Sequence, residues 1–279
     1  MNSPIRQMLV HLDASSRSTT RLQAARQLAQ QHGAALCALY AVTPDAVATP
    51  YVAEGGFSLA AAMREIDEER RVKARAAFDE TMKKPGAPAS WIELTEFSAV
   101  SDFVRQAWYA DLLVLGQNDS EGDEPADVPP NFVETVLAES GKPALVVPWT
   151  GTQRDIGGTV VIAWKQSRES ARAVALAMPL LLKARRVHVV TWSPEVLSVG
   201  GTGLSLQSYL RAHQVEPTMH RYGDEPSHLG ELLLSTIFDL DADLLVMGCY
   251  GHSRAREWVL GGASRTVLQS MTVPVLMAH

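Results

Sequence analysis

Ala110-Asp-Leu-Leu-Val-Leu-Gly116 recurs as Ala242-Asp-Leu-Leu-Val-Met-Gly248, 132 positions later. A short apolar run that starts after an acid and stops on glycine reads as a buried strand with a sharp exit. Two such runs so far apart imply two copies of one structural unit. Two further matches support this. Gly141-Lys-Pro-Ala-Leu-Val-Val-Pro148 pairs with Thr272-Val-Pro-Val-Leu-Met-Ala-His279, and Met8-Leu-Val-His-Leu-Asp-Ala-Ser15 pairs with Val160-Val-Ile-Ala-Trp-Lys-Gln-Ser167 at an offset of 152. The first copy therefore carries about 20 more residues in its middle. The 279 residues suffice for two domains of ordinary size. The division is expected near Trp149 to Gly158, giving domains at 1–150 and 156–279.

Strand and helix signals alternate within each half. The first half predicts strands near 6–12, 35–42, 90–95, 111–116 and 143–148. Between them come a helix from Ser18, a charged helix near 58–83, a helix striped by Val100, Phe103, Val104, Ala107 and Trp108, and a helix near 131–140. The second half predicts strands at 159–164, 186–192, 216–222, 243–248 and 273–278. Its helices fall near 168–183 and 205–213, along the face of Leu229, Leu232, Leu233, Thr236, Ile237 and Leu240, and after Gly262. Strands that alternate with helices and read as apolar runs predict parallel sheets covered on both faces.

The second half carries a distinctive loop. Gly248-Cys-Tyr-Gly251 is followed after nine residues by Gly261-Gly262, and the next segment, Ala263 to Gln269, reads as a helix. Glycines at a strand-to-helix crossing let a ligand approach bare N–H groups. The helix start adds unpaired donors and the positive end of its dipole. Together these are the parts of a phosphate site. The plainer alternative is a strand end followed by a flexible loop.

Charge and composition narrow the partners. Residues 1–150 hold 13 Lys and Arg against 20 Asp and Glu, a net −7; the rest hold 12 against 11, a net +1. The acidic total of −6 argues against non-specific nucleic-acid binding. Two cysteines, Cys37 and Cys249, make no disulfide framework. The first residues do not read as a signal peptide, and the longest apolar stretch, Ala173 to Leu182, is interrupted by Pro179 and is too short to span a bilayer. A cytoplasmic protein without membrane partners is expected.

A five-strand α/β half, a Gly-x2-Gly-x9-Gly loop before the last helix and a closing Val-Pro-Val-Leu strand resemble the universal stress protein family. The resemblance covers both halves, as in a tandem member. It implies an α/β fold of two Rossmann-like (adenine nucleotide alpha hydrolase-like) domains. Each would be a five-stranded parallel sheet with helices on both faces, the two packed as a pseudo-dimer. It also implies binding of ATP or another adenine nucleotide, with or without magnesium, in the second domain, and a stress-linked regulatory or sensing role. Gly248 would lie beside the ribose. Gly251, Gly261, Gly262 and the amides of Ala263 and Ser264 would hold phosphates. Ala163 and Lys165, at the end of the first strand of that half, would face the nucleotide. The family usually has Asp where this chain has Lys165, and Ser or Thr where it has Gly262. A homodimer of tandem chains is a further form of assembly the resemblance allows; the protein partner is open.

The first half departs from the pattern. Asp13 keeps the acidic position, but the loop after Gly116 lacks the glycines. It holds five carboxylates, and Pro125, Pro129 and Pro130 lack N–H donors. That half is expected not to bind nucleotide. An alternative for the whole chain is a protein-interaction scaffold with a vestigial glycine loop.

Other chemistries find less support. Gly251-His-Ser-Arg-Ala255 has the outline of a nucleophile elbow but not its partners: only Glu257 and His279 follow Ser253 as acid and base. His252, Arg254 and Arg256 are candidates for screening phosphate charge. The histidines show no metal-binding spacing. No Gly-x4-Gly-Lys-Ser/Thr loop is present, which favours nucleotide binding over fast hydrolysis and leaves slow hydrolysis compatible. Val199-Gly-Gly-Thr-Gly203 reads as a flexible connection, and the charges of Met63 to Lys83 as an exposed helix laced with ion pairs.

Overall fold

The computed structural model describes residues 4–43, 57–94, 98–118, 127–152, 154–192, 204–224, 226–249 and 262–279. The chain divides into two compact units, Ile5–Gly151 and Thr152–His279, the latter joined by the first residues of the chain. The Val199–Gly203 stretch and the loop residues Gly251 to Gly261, with His252, Ser253, Arg254, Arg256 and Glu257, lie outside the described residues.

The first unit runs β1 (Gln7–Leu12), α1 (Arg17–His32), β2 (Ala35–Ala41), α2 (Phe57–Met82), β3 (Ala89–Leu94), α3 (Ala99–Ala107), β4 (Leu112–Gly116), α4 (Phe132–Ser140) and β5 (Ala144–Val147). Its five strands are parallel in the order β3-β2-β1-β4-β5. The second unit runs β6 (Thr159–Ala163), α5 (Arg168–Leu181), β7 (Arg186–Trp192), α6 (Leu206–Ala212), β8 (Pro217–Tyr222), α7 (Leu229–Asp239), β9 (Leu244–Gly248), α8 (Gly262–Ser270) and β10 (Val275–Ala278). Its strands are also parallel, in the order β8-β7-β6-β9-β10. The two orders are the same topology, as the sequence repeat requires.

The central strands carry the core. β1, β4, β6 and β9 are buried along nearly their whole length. β5 and β10 are buried throughout as well. The expectation of unbroken burial fails at β3, which alternates half-buried and exposed positions, at β8, which is exposed toward its end, and in part at β7.

The repeated acid before β4 and β9 fixes the register of each unit. Asp111 Oδ2 accepts from the main-chain N–H groups of Arg6 (2.8 Å) and Gln7 (3.0 Å). Asp243 accepts from Gly157 (2.8 Å) and Thr159 (2.9 Å). One carboxylate thus ties the start of the middle strand to its neighbour in each half. Burial pushes the Asp243 carboxyl up, against the pull of those N–H donors and Arg185.

Local signals set the helix ends. Ser98 and Ser167 accept from the N–H groups of Ser101 and Ser170, capping α3 and α5. Ser205 and Ser208 form a reciprocal capping box at α6. The left-handed Gly33 ends α1. The charged α2 is laced by Arg71–Glu68, Arg75–Asp79 and Lys83–Glu80 pairs. Among the described residues, no helix is long and apolar enough to cross a membrane.

Candidate functional site

In the second unit the strand order reverses between β6 and β9. The chain leaves β6 toward β7 and β8, then returns on the other side through β9 and β10. In parallel α/β sheets, such a switch point opens a crevice at the carboxyl ends of the two strands. Ala163 ends β6 and lies beside Met247 of β9; Gly248 follows, beside Ala278. Lys165 is exposed in the turn from β6 to α5. α8, the helix after β9, opens with Gly262 exposed, Ala263 half-buried and Ser264 buried at 7% exposure. Six of the eight residues singled out by sequence are therefore placed at this end of the sheet or at the start of the helix after it. Gly251 and Gly261 fall in the segment not described.

The two described glycines differ in kind. Among the described residues, a Cβ at Gly262 meets nothing within 4 Å. Among the described residues, Gly262 therefore has no steric duty. A Cβ at Gly248 would lie 2.5 Å from the Ser170 nitrogen and 2.6 Å from the Glu169 carbonyl carbon. Both are main-chain atoms of the first turn of α5. Gly248 thus lets α5 rest directly on the end of β9, a packing duty that the glycine spacing alone did not reveal.

Sequence reasoning also passed over Glu169. It is buried at 5% exposure beside this crevice. Burial works to raise its carboxyl, yet the hydrogen bonds from Arg168, its own N–H and Ser167 hold it below the usual glutamate range. Burial first, and then the Glu169 charge, push the neighbouring Cys249 thiol up to about 12. Cys249 is 1% exposed and stays a neutral thiol. The cysteine inside the glycine motif is packing, not a nucleophile.

The matching place in the first unit is built differently. Here the guanidinium of Arg21 lies where a Cβ on Gly116 would go. Arg21 Nε donates to the His11 carbonyl (2.6 Å), and Nη2 donates to Asp13 Oδ2 (2.9 Å) and Ser18 Oγ (2.9 Å). Asp13 also accepts from the hydroxyls of Ser15 (2.5 Å) and Ser18 (2.7 Å). Burial alone would raise the Asp13 carboxyl; Arg21, His11 and the two hydroxyls outweigh it and hold it far below the usual carboxylate range. The acid that the sequence marks as a ligand position is thus committed inside the protein. At the offset that aligns the first strands of the two halves, Arg21 corresponds to Ala173 in α5, which carries no such arm.

Two histidines far apart in sequence meet in the second unit. His188 Nδ1 on β7 lies 3.0 Å from His220 Nε2 on β8, and His188 Nε2 is buried with no hydrogen-bond partner among the described residues. Parallel pairing of β7 with β8, invisible to a spacing search, brings them together. Among the described residues, no group of three or more His, Cys, Asp or Glu is placed to hold a metal ion.

Residues 158–279 match the family described as the universal stress protein family. A universal stress protein of Synechocystis sp. is 28% identical over 151 residues, covering 52% of this chain and 49% of the relative. The chain thus spans about half the length of that curated relative. Among solved structures, a universal stress protein from Archaeoglobus fulgidus is similar over 98% of this chain and 97% of its own, with a TM-score of 0.69 at 17% identity. A functionally unknown protein from Pseudomonas aeruginosa covers 98% of this chain and 92% of its own, with a TM-score of 0.60 at 17% identity. At such identity these two structures speak for the fold, which they share with both halves. The similarity to the universal stress protein family thus lies in residues 158–279, the second half of this chain.

Proposed function

We propose that the second unit binds ATP or a related adenine nucleotide and serves as the sensing half of a stress-linked regulator. The observation that carries the reading is the start of α8. It follows the β9 strand of the switch point, it opens on an exposed glycine, and no described residue fills the space beside that glycine to 4 Å. Free N–H groups and the positive dipole end favour phosphate there. In this reading the amides of Gly262, Ala263 and Ser264 take phosphate oxygens, together with Gly251 and Gly261. Ala163, Lys165 and Gly248 line the nucleoside side of the crevice. Lys165, exposed just past the end of β6, draws the phosphates electrostatically. Glu169 supplies negative charge near Gly248, where ribose hydroxyls would donate. The sequence holds no Gly-x4-Gly-Lys-Ser/Thr loop, which favours binding and sensing over fast hydrolysis and leaves slow hydrolysis compatible.

Gly262→Asp tests it. A carboxylate in the first turn of a helix favours the helix by a few tenths of a kcal/mol to about 1 kcal/mol. The same carboxylate set against phosphate costs on the order of 4 kcal/mol at ~4 Å and an effective dielectric of ~20, roughly a thousandfold in affinity. Fold and binding are thereby pushed in opposite directions. The expected result is an unchanged or raised unfolding midpoint with ATP binding lost, and a parent stoichiometry near one per chain by calorimetry. Parent-like ATP affinity in Gly262→Asp would remove the nucleotide reading and leave the interaction scaffold.

A further inference from the structure

The crevice of the first unit is furnished with anion donors that are already engaged. At the carboxyl end of β1, the Ala14 N–H donates to Asp127 Oδ2 at 2.7 Å. After β2, the Thr43 N–H donates to the Asp127 carbonyl at 3.0 Å. From α2, Arg70 Nε lies 3.6 Å from Asp127 Oδ1. The Asp127 side chain is only 6% exposed and that of Arg70 21%. An acid from the segment between β4 and α4 thus lies across the ends of β1 and β2, and β1 flanks the switch point of that unit, which falls between β1 and β4. Gly116, at the end of β4, is covered by Arg21.

A second observation marks the same place. Tyr40, near the end of β2, is fully buried, and its Oη has no hydrogen-bond partner among the described residues. Burial first, then the charges of Asp127, Asp13 and Asp67, hold the phenol protonated.

We propose that the first unit is an anion-binding unit that carries its own ligand: the Asp127 carboxylate occupies a seat formed by the Ala14 amide and Arg70, so that no external phosphate or carboxylate binds there. Exclusion then comes from occupancy, beyond the repulsion expected of the acidic loop. The seat is defined by the first unit alone and requires no nucleotide in the second, so it stands or falls apart from the nucleotide reading.

Chemical rescue in the full chain decides it. Asp127→Gly removes the carboxylate and keeps the main-chain carbonyl that binds Thr43. Formate is the probe, with chloride at equal ionic strength as the control, and hydrogen exchange of the Ala14 amide is the reading. In the parent, Ala14 exchange is slow and indifferent to formate. In Asp127→Gly it speeds by about tenfold or more, the loss of roughly one good hydrogen bond, and formate restores most of the protection while chloride does not. If formate leaves Ala14 exchange unchanged in the folded variant, or slows it equally in the parent, the seat does not exist as described. Should Asp127→Gly fail to fold, Asp127→Ala, which constrains the chain more, carries the same expectation and the same refutation.

Discussion

Single residues in this chain have duties that their chemical type alone does not announce. Asp111 and Asp243 occupy the same place in the repeat and clamp the same strand starts. Their surroundings differ: the N–H donors at Asp243 are buried, and those at Asp111 are exposed. Removing the acid leaves two donors unsatisfied, at ~1–3 kcal/mol each when buried and little where water replaces the bond. Asp243→Ala should therefore destabilise the chain by roughly 2–4 kcal/mol in urea unfolding, and Asp111→Ala by about 1 kcal/mol or less. Equal losses from both would contradict this assignment. The glycines divide in the same way. Gly248→Ala drives a methyl into main-chain atoms of α5 and should cost about 1–3 kcal/mol. Gly262→Ala meets none of the described residues within 4 Å and should cost nothing measurable, gaining up to about 1 kcal/mol of helix propensity. Two unfolding curves settle the contrast.

At the scale of elements, the sequence was legible where local pattern and tertiary demand agree. The apolar runs before Gly116 and Gly248 are strands because both their faces are covered, and the stripe from Val100 to Ala107 is a helix because one face is. Strand ends moved by a residue or two, as at 112–116 and 275–278, because pairing and not propensity closes them. The start of α8 was legible as an element, since the segment after the glycine pair carries a helical stripe. Other parts were hidden for a physical reason: they depend on which elements become neighbours. Nothing in the spacing of Arg21 and Gly116 says that they touch. The Asp127–Arg70 pair joins α2 to the segment before α4, 57 positions apart. His188 and His220 meet only because β7 and β8 are parallel and in that register. Glu169 was passed over because an acid in a first helical turn is ordinary; its burial against β9 is not.

Over the whole molecule, the groups that titrate abnormally are placed so that acid should unfold the chain before carboxylates are neutralised. His11 is 1% exposed, packed against Phe103 and Phe132 at ring separations of 5.5 and 4.4 Å. Its Nε2 lies 2.8 Å from the Ala41 carbonyl, a bond the neutral ring makes as donor. Burial and Arg21 lower its pKa to about 4, against the smaller opposing pull of Asp13 and Ala41. His188 is lowered too, by burial, His220 and Arg186. A histidine with a depressed folded pKa binds its proton more readily in the unfolded chain. The stability it supports is complete above the unfolded value near 6.5 and drains away as pH falls toward the folded value. For His11, fully enclosed, the loss by pH ~4 is on the order of 3 kcal/mol. Asp243 acts oppositely, because its raised pKa means that acid relieves a buried charge. Asp13, held far below the usual range, is lost only at lower pH and leaves this window untouched. The expected outcome is a urea midpoint that falls between pH 7 and pH 4.5, well before bulk carboxylate protonation. His11→Gln keeps an amide donor for Ala41 and cannot take the proton. It should flatten that slope by most of the His11 share, whatever it costs at neutral pH. An unaltered slope in His11→Gln would place the acid sensitivity elsewhere, with His188 next in line.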